Sequence, residues 1–136
     1  MAFRTQCPVR FGDVDHAGIV YYPHFFIYFH EAFEDFFNEN SHKYSELLND
    51  RRIGFPTVHI DIDYSAPLRY GDALDVELSV PKVTARSATF RYVGFRHSDG
   101  KKACEANIIC VCVHLDQFSA LPIPDDLRTL FDKFAV

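Results

Sequence analysis

The sequence predicts an α+β fold in which one long helix is wrapped by a curved antiparallel sheet of five strands. Three observations predict it. Phe25, Phe26, Phe29, Phe33, Phe36 and Phe37 recur at helical spacing between His24 and about Asn38, one continuous apolar stripe. From Val58 onward the apolar period switches to two, the repeat of a half-buried strand. The chain has 136 residues, 48% of them hydrophobic, which is enough for a single domain with a substantial core. Such an aromatic stripe cannot remain in water, so a sheet must cover it.

The elements follow in order. Arg4 to Phe11 reads as a first strand ending at Gly12-Asp13. The helix from His24 carries its polar residues, His30, Glu31, Glu34 and Asp35, mostly off the aromatic face. A shorter helix is expected at about Ser45 to Asp50, with Ser45 as its N-cap. Val58, Ile60, Ile62 and Tyr64 then alternate with His59, Asp61, Asp63 and Ser65. Pro67 and Gly71-Asp72 mark a turn, after which Leu74, Val76, Leu78 and Val80 give the clearest strand in the chain. Ser87 to His97 forms the next, closed by the hairpin turn Ser98-Asp99-Gly100-Lys101. Lys102 to Leu115 is almost continuously apolar, which predicts burial on both faces or contact with another subunit. Pro122 and Pro124 precede a last helix, Asp125 to Phe134. The order predicts a meander for the last four strands, within one domain spanning residues 1–136.

Composition narrows the function. The fourteen Phe and seven Tyr, with no Trp and one Met, suit an aromatic core or a flat apolar substrate site. A net charge of -5 argues against general nucleic-acid binding, but a few local Arg or Lys could still hold a phosphate-bearing ligand. No apolar run approaches the roughly 20 residues of a transmembrane helix. The N-terminus lacks a secretory apolar region, so a cytoplasmic enzyme is expected. Cys7, Cys104, Cys110 and Cys112 do not form a disulfide framework. Cys110, Cys112 and His114 share one strand face, but without a second pair of ligand spacing no metal site is expected; small buried thiols are the simpler account.

The most informative stretch is Phe11-Gly12-Asp13-Val14-Asp15-His16-Ala17-Gly18-Ile19-Val20-Tyr21-Tyr22-Pro23. Two carboxylates and a glycine occupy a turn, and proline follows at the first turn of a helix, where it is favoured. The first helical N–H groups and the positive end of the dipole thus open just downstream of a carboxylate. That pairing suits attack on an acyl group. Asp13 reads as a turn or cap residue. Ala17, Ile19 and Val20 supply no ligands for a calcium loop. A paired-carboxylate glycosidase would need a polar cleft, and the neighbours are apolar. Asp15, beside those apolar neighbours, is the stronger chemical candidate.

This segment resembles the signature of the 4-hydroxybenzoyl-CoA thioesterase family, and Gly54-Phe55-Pro56-Thr57-Val58 resembles that family's entry to its second strand. The resemblance spans nearly the whole chain and implies the hotdog fold. It places the catalytic carboxylate on Asp15 and the N–H that polarises the thioester carbonyl on Tyr22. Gly18 would let the chain turn closely around the acyl group. The resemblance puts the CoA phosphates near Lys82-Val83-Thr84-Ala85-Arg86-Ser87, with Arg86 and Ser87 aligning best. In the hydroxybenzoyl-specific enzymes a helical acid recognises the phenol; here His30 stands in that position and can also hydrogen-bond a hydroxyl. The expectation is an acyl-CoA thioesterase for an aromatic or short-chain acyl group, without cofactor or metal, acting as a homodimer or homotetramer. Two alternatives remain: a dehydratase of the same fold using His16 or His24, and a non-catalytic acyl-CoA binding module.

Overall fold

The computed structural model describes all residues 1–136. Helix α1 (Phe25–Glu39) lies against a five-stranded antiparallel sheet, with helices α2 (Tyr44–Asn49) and α3 (Asp125–Lys133) at its flanks. The strands are β1 (Phe3–Pro8), β3 (Thr57–Tyr64), β4 (Ala73–Val83), β5 (Ser87–Arg96) and β6 (Lys102–Val111), in the order β1-β4-β5-β6-β3. Two-residue strands β2 (Ile53–Gly54), β7 (Val113–His114) and β8 (Ser119–Ala120) form a small second sheet. No helix is long and apolar enough to cross a membrane.

The aromatic stripe packs as its spacing requires. Phe29 stacks on Tyr92 at 4.8 Å between centroids, and Phe33 meets Phe90 edge to face at 5.1 Å. Phe36 and Phe37 both reach Phe131 of α3. On the sheet, Leu74, Val76, Leu78 and Val80 are buried, alternating with half-buried Asp75 and Glu77 and then with buried Ser79.

Several elements depart from the sequence expectation. β1 ends at Pro8, because the Arg10 N–H donates to Asp13 Oδ2 at 2.9 Å and the chain enters a 3-10 turn, Phe11–Asp13. α2 is capped at Lys43, not Ser45; Asn38 Oδ1 accepts the Tyr44 N–H at 2.9 Å and does the capping. The last four strands are not a meander, since β3 pairs with β6 and lies at the sheet edge. After β3, the Ser65 and Ala66 N–H groups donate to Ala103 O, and the segment crosses the end of the sheet with Ala66 and Leu68 buried beneath it. β4 therefore starts on the far side. The apolar run after Lys102 is also not one doubly buried strand. β6 alternates buried Ala106, Ile108 and Cys110 with half-buried Asn107, Ile109 and Val111. At Cys112 the N–H turns to Arg86 O, and the chain leaves for the small sheet.

Edge strand β3 is more exposed than a half-buried strand should be. Val58 is 62% exposed and Ile60 45%, because only β6 borders it. All four cysteines are free and buried. Burial pushes the Cys7 and Cys104 thiols up to about 12 and Cys112 to about 11, so they remain inert protonated thiols at neutral pH.

Candidate active site

The loop between β1 and α1 is held open as a small hairpin. Val14 bridges Val20, the Asp15 N–H donates to Ile19 O at 3.0 Å, and the Gly18 N–H donates back to Asp15 O at 2.9 Å. Gly18 closes this turn at φ +79°, a conformation that disfavours a side chain. The Asp15 side chain folds into an Asx turn, with Oδ1 accepting the Ala17 N–H at 2.8 Å. That contact fixes one carboxylate oxygen and leaves the other available. Asp15 is exposed in the single chain, so the apolar residues beside it in sequence do not bury it within its own subunit.

Asp13 builds the base of the loop. Its Oδ2 accepts the Tyr28 hydroxyl at 2.7 Å and the Arg10 N–H, while Oδ1 pairs with His24 Nε2 at 2.8 Å. Its backbone carbonyl accepts the Tyr21 N–H. Burial, reinforced by the bond to Asp13, pushes the Tyr28 phenol well above its usual range, so it stays a donor. The side chain thus locks the loop to the start of the helix, the turn-capping role its position predicts. It also occupies His24, while His16 is exposed.

The helix begins through a 3-10 turn, Tyr22–His24, that runs directly into α1 and holds Pro23 in its first turn. The Tyr22 N–H has no acceptor in the protein, backbone or side chain. Tyr64 of β3 clamps this end: its hydroxyl donates to Tyr22 O at 2.9 Å, and its ring meets Phe25 edge to face at 5.3 Å. Beside the free N–H, an apolar cleft of about 310 Å³ is lined by Ile19, Val20, Phe25, Tyr64 and Leu68, among others. One loop therefore presents a carboxylate, a free helix-start N–H and an apolar surface. Such an arrangement can polarise a carbonyl and deliver a nucleophile to it.

The remaining predicted residues lie further off. His30 sits about one and a half turns along α1, where its Nε2 is 3.3 Å from Glu34 and it borders a second cavity of about 170 Å³. Ser87 begins β5 in a tight turn, its hydroxyl 2.6 Å from Thr84 Oγ1. Arg86 is exposed and makes no ion pair, and its carbonyl accepts the Cys112 N–H. That turn borders the end of β6 that pairs with Thr57, whereas Tyr22 is tied to Tyr64 at the opposite end of β3. Seven residues of strand put roughly 23 Å between the two ends. One chain does not bring Arg86 to Asp15. Sequence reasoning missed Tyr64 and Tyr28, whose hydroxyls matter only through contacts distant in sequence. It also missed Arg69, which pairs with Ile19 across a β-bridge and places its guanidinium 4.0 Å from where a Gly18 side chain would begin.

Residues 9–131 match the pattern of the thioesterase-like superfamily. The chain is 30% identical over 130 residues to a 1,4-dihydroxy-2-naphthoyl-CoA hydrolase from Trichodesmium erythraeum, covering 94% of each protein. Among solved structures, it superposes on a thioesterase superfamily protein from Jannaschia sp. with a TM-score of 0.91 and 28% identity, covering 99% of this chain and 94% of that one. A gentisyl-coenzyme A thioesterase superposes with a TM-score of 0.84 at 29% identity, covering 96% of this chain and 99% of the other.

Proposed function

The chain belongs to the thioesterase-like superfamily and has its hotdog fold, and on that premise we propose that it hydrolyses the thioester of an aromatic acyl-CoA to the free acid and CoA. The observation that carries this reading is the unpartnered Tyr22 N–H in the same loop as the half-free Asp15 carboxylate. The Tyr22 N–H polarises the thioester carbonyl. Asp15 attacks the carbonyl carbon or takes a proton from the attacking water; the carbon–sulfur bond breaks, and CoA leaves as the thiolate. Direct attack leaves a mixed anhydride with Asp15 that water then opens; by either route one water is consumed per ester and no cofactor enters the balance. An aromatic acyl group is supported by the names of the relatives, which act on naphthoyl and gentisyl esters, and by the apolar surfaces beside the loop. A single hydroxylated ring of the 4-hydroxybenzoyl kind belongs to the same class. His30 would face the ring side of the site.

Incubation with a hydroxylated aroyl-CoA should yield acid and CoA in equal amounts by chromatography. Saturable binding with the ester intact would instead make the chain a binding module. Loss of water from a hydroxyacyl-CoA with the thioester intact would make it a dehydratase, working through His16 or His24.

The working unit is proposed to be a homodimer joined at the exposed edge of β3, or a homotetramer built from two such dimers. Antiparallel pairing about a two-fold axis would remove that edge and bring the Arg86 turn of one copy to the Tyr22 end of the other. Light scattering should show no monomer for the wild type at micromolar concentration. Val58→Lys, which puts charge on the edge, should produce monomers and lose most activity; a monodisperse wild-type monomer would contradict the interface. Arg86 and Ser87 then serve the CoA phosphates. Arg86→Glu should raise KM several-fold and change kcat little, because the nucleotide is remote from the reacting bond. Unchanged kinetics would remove Arg86 from the site.

A further inference from the structure

The cavity next to His30 lies further along the same helix and edge strand, α1 and β3, that flank the cleft at Tyr22 and Tyr64. Ile60 and Tyr64 project from the same face of β3, and Phe26 and Phe29 follow Phe25 along the helix. Nine of its eleven lining residues are hydrophobic. Its volume of about 170 Å³ is that of an aromatic ring's berth, since an apolar cavity of about 150 Å³ holds benzene.

One polar group at its inner wall is unaccounted for. Tyr92 is 3% exposed, its ring is stacked on Phe29, and its hydroxyl has no hydrogen-bond partner in the protein. The hydroxyl is not sealed off, since solvent still reaches it on the cavity that Tyr92 lines. Tyr92 lines the cavity together with Tyr44 and Cys110. Burial, with those neighbours, raises its pKa well above the ordinary value. It is a neutral hydroxyl, able to donate and to accept.

We infer that Tyr92 is a specificity-determining residue whose hydroxyl hydrogen-bonds a ring hydroxyl on the acyl group. This rests on the hydrolase reading above and deepens it. A plain aromatic ring fills the cavity but leaves the Tyr92 hydroxyl unpartnered; a phenolic ring supplies the missing bond.

The test compares wild type with Tyr92→Phe, which keeps the ring and removes only the hydroxyl. Two measurements are made: kcat/KM for paired esters (4-hydroxybenzoyl-CoA against benzoyl-CoA, and 1,4-dihydroxy-2-naphthoyl-CoA against 2-naphthoyl-CoA), and calorimetric binding of the corresponding free acids. In at least one pair the wild type should favour the hydroxylated member by about 10-fold or more, the effect of a buried hydrogen bond lost. In Tyr92→Phe that ratio should fall to within about threefold, through loss on the hydroxylated member alone. A preference that survives the substitution, or wild-type turnover without any preference, overturns the assignment and leaves the hydrolase reading standing. A Tyr92-dependent preference among the free acids, with no ester hydrolysed, supports the assignment and removes the hydrolase reading.

Discussion

Asp15→Asn should lower kcat at least ~100-fold, the lower end of what a positioned acid–base or nucleophilic carboxylate contributes. The thermal midpoint and the oligomeric state should stay those of the wild type. The substitution preserves shape, and the asparagine oxygen still accepts the Ala17 N–H that Oδ1 accepts now. What it removes is the charge, and both proposed routes need the charge. Binding should survive, because the Tyr22 N–H belongs to the backbone and the apolar cleft does not include Asp15. A thioester carbonyl is already electrophilic, so positioning a nucleophile and stabilising the oxyanion are the main tasks left to the protein. For the same reason, replacing the Tyr22 side chain should leave its contribution partly intact. Near-normal turnover by Asp15→Asn would remove Asp15 from the chemistry altogether. Single-turnover hydrolysis in oxygen-18 water with excess wild-type enzyme then separates the routes: label on Asp15 requires direct attack and an anhydride opened at the aspartyl carbon.

The largest expected loss of stability is at Phe131. Phe131→Ala should destabilise the fold by about 3–5 kcal/mol, read from the urea midpoint at fixed protein concentration. Its ring is fully buried and meets Phe36 and Phe37 of α1, Phe55 and Phe90 of β5. Truncation would open a cavity where α3 closes over the long helix and the sheet, and four rigid rings cannot collapse into it. A loss below about 1 kcal/mol would mean that α3 is a loosely attached appendage.

The helix and the five strands were legible because their signals are local. Six phenylalanines at helical spacing and the alternation from Leu74 to Val80 each specify an element and its buried face. Strand order was not legible, since alternation says which face a residue occupies and not which strand lies beside it. The edge position of β3 follows from the crossing segment at Ser65 and Ala66, whose backbone bonds to Ala103 no sequence period encodes. The break at Cys112 was hidden for a similar reason: an apolar run reads the same whether it continues straight or bends to meet Arg86. The reacting loop was legible because Asp15, Gly18 and Tyr22 are contiguous. Tyr64, Tyr28 and Tyr92 were not, because the hydroxyls of Tyr64 and Tyr28 act across 42 and 15 residues of chain and Tyr92 matters only through the cavity it lines.

Hydrolysis of aromatic acyl-CoA esters is read most simply as thiol release by the wild-type protein across a panel of CoA esters. Aroyl-CoA esters should release thiol with kcat/KM at least about 10-fold above acetyl-, butyryl- and crotonyl-CoA, because only a ring fills the apolar cavity beside His30. Thiol release that is equal for acetyl-CoA and the aroyl esters, or absent for every aroyl ester, would contradict it.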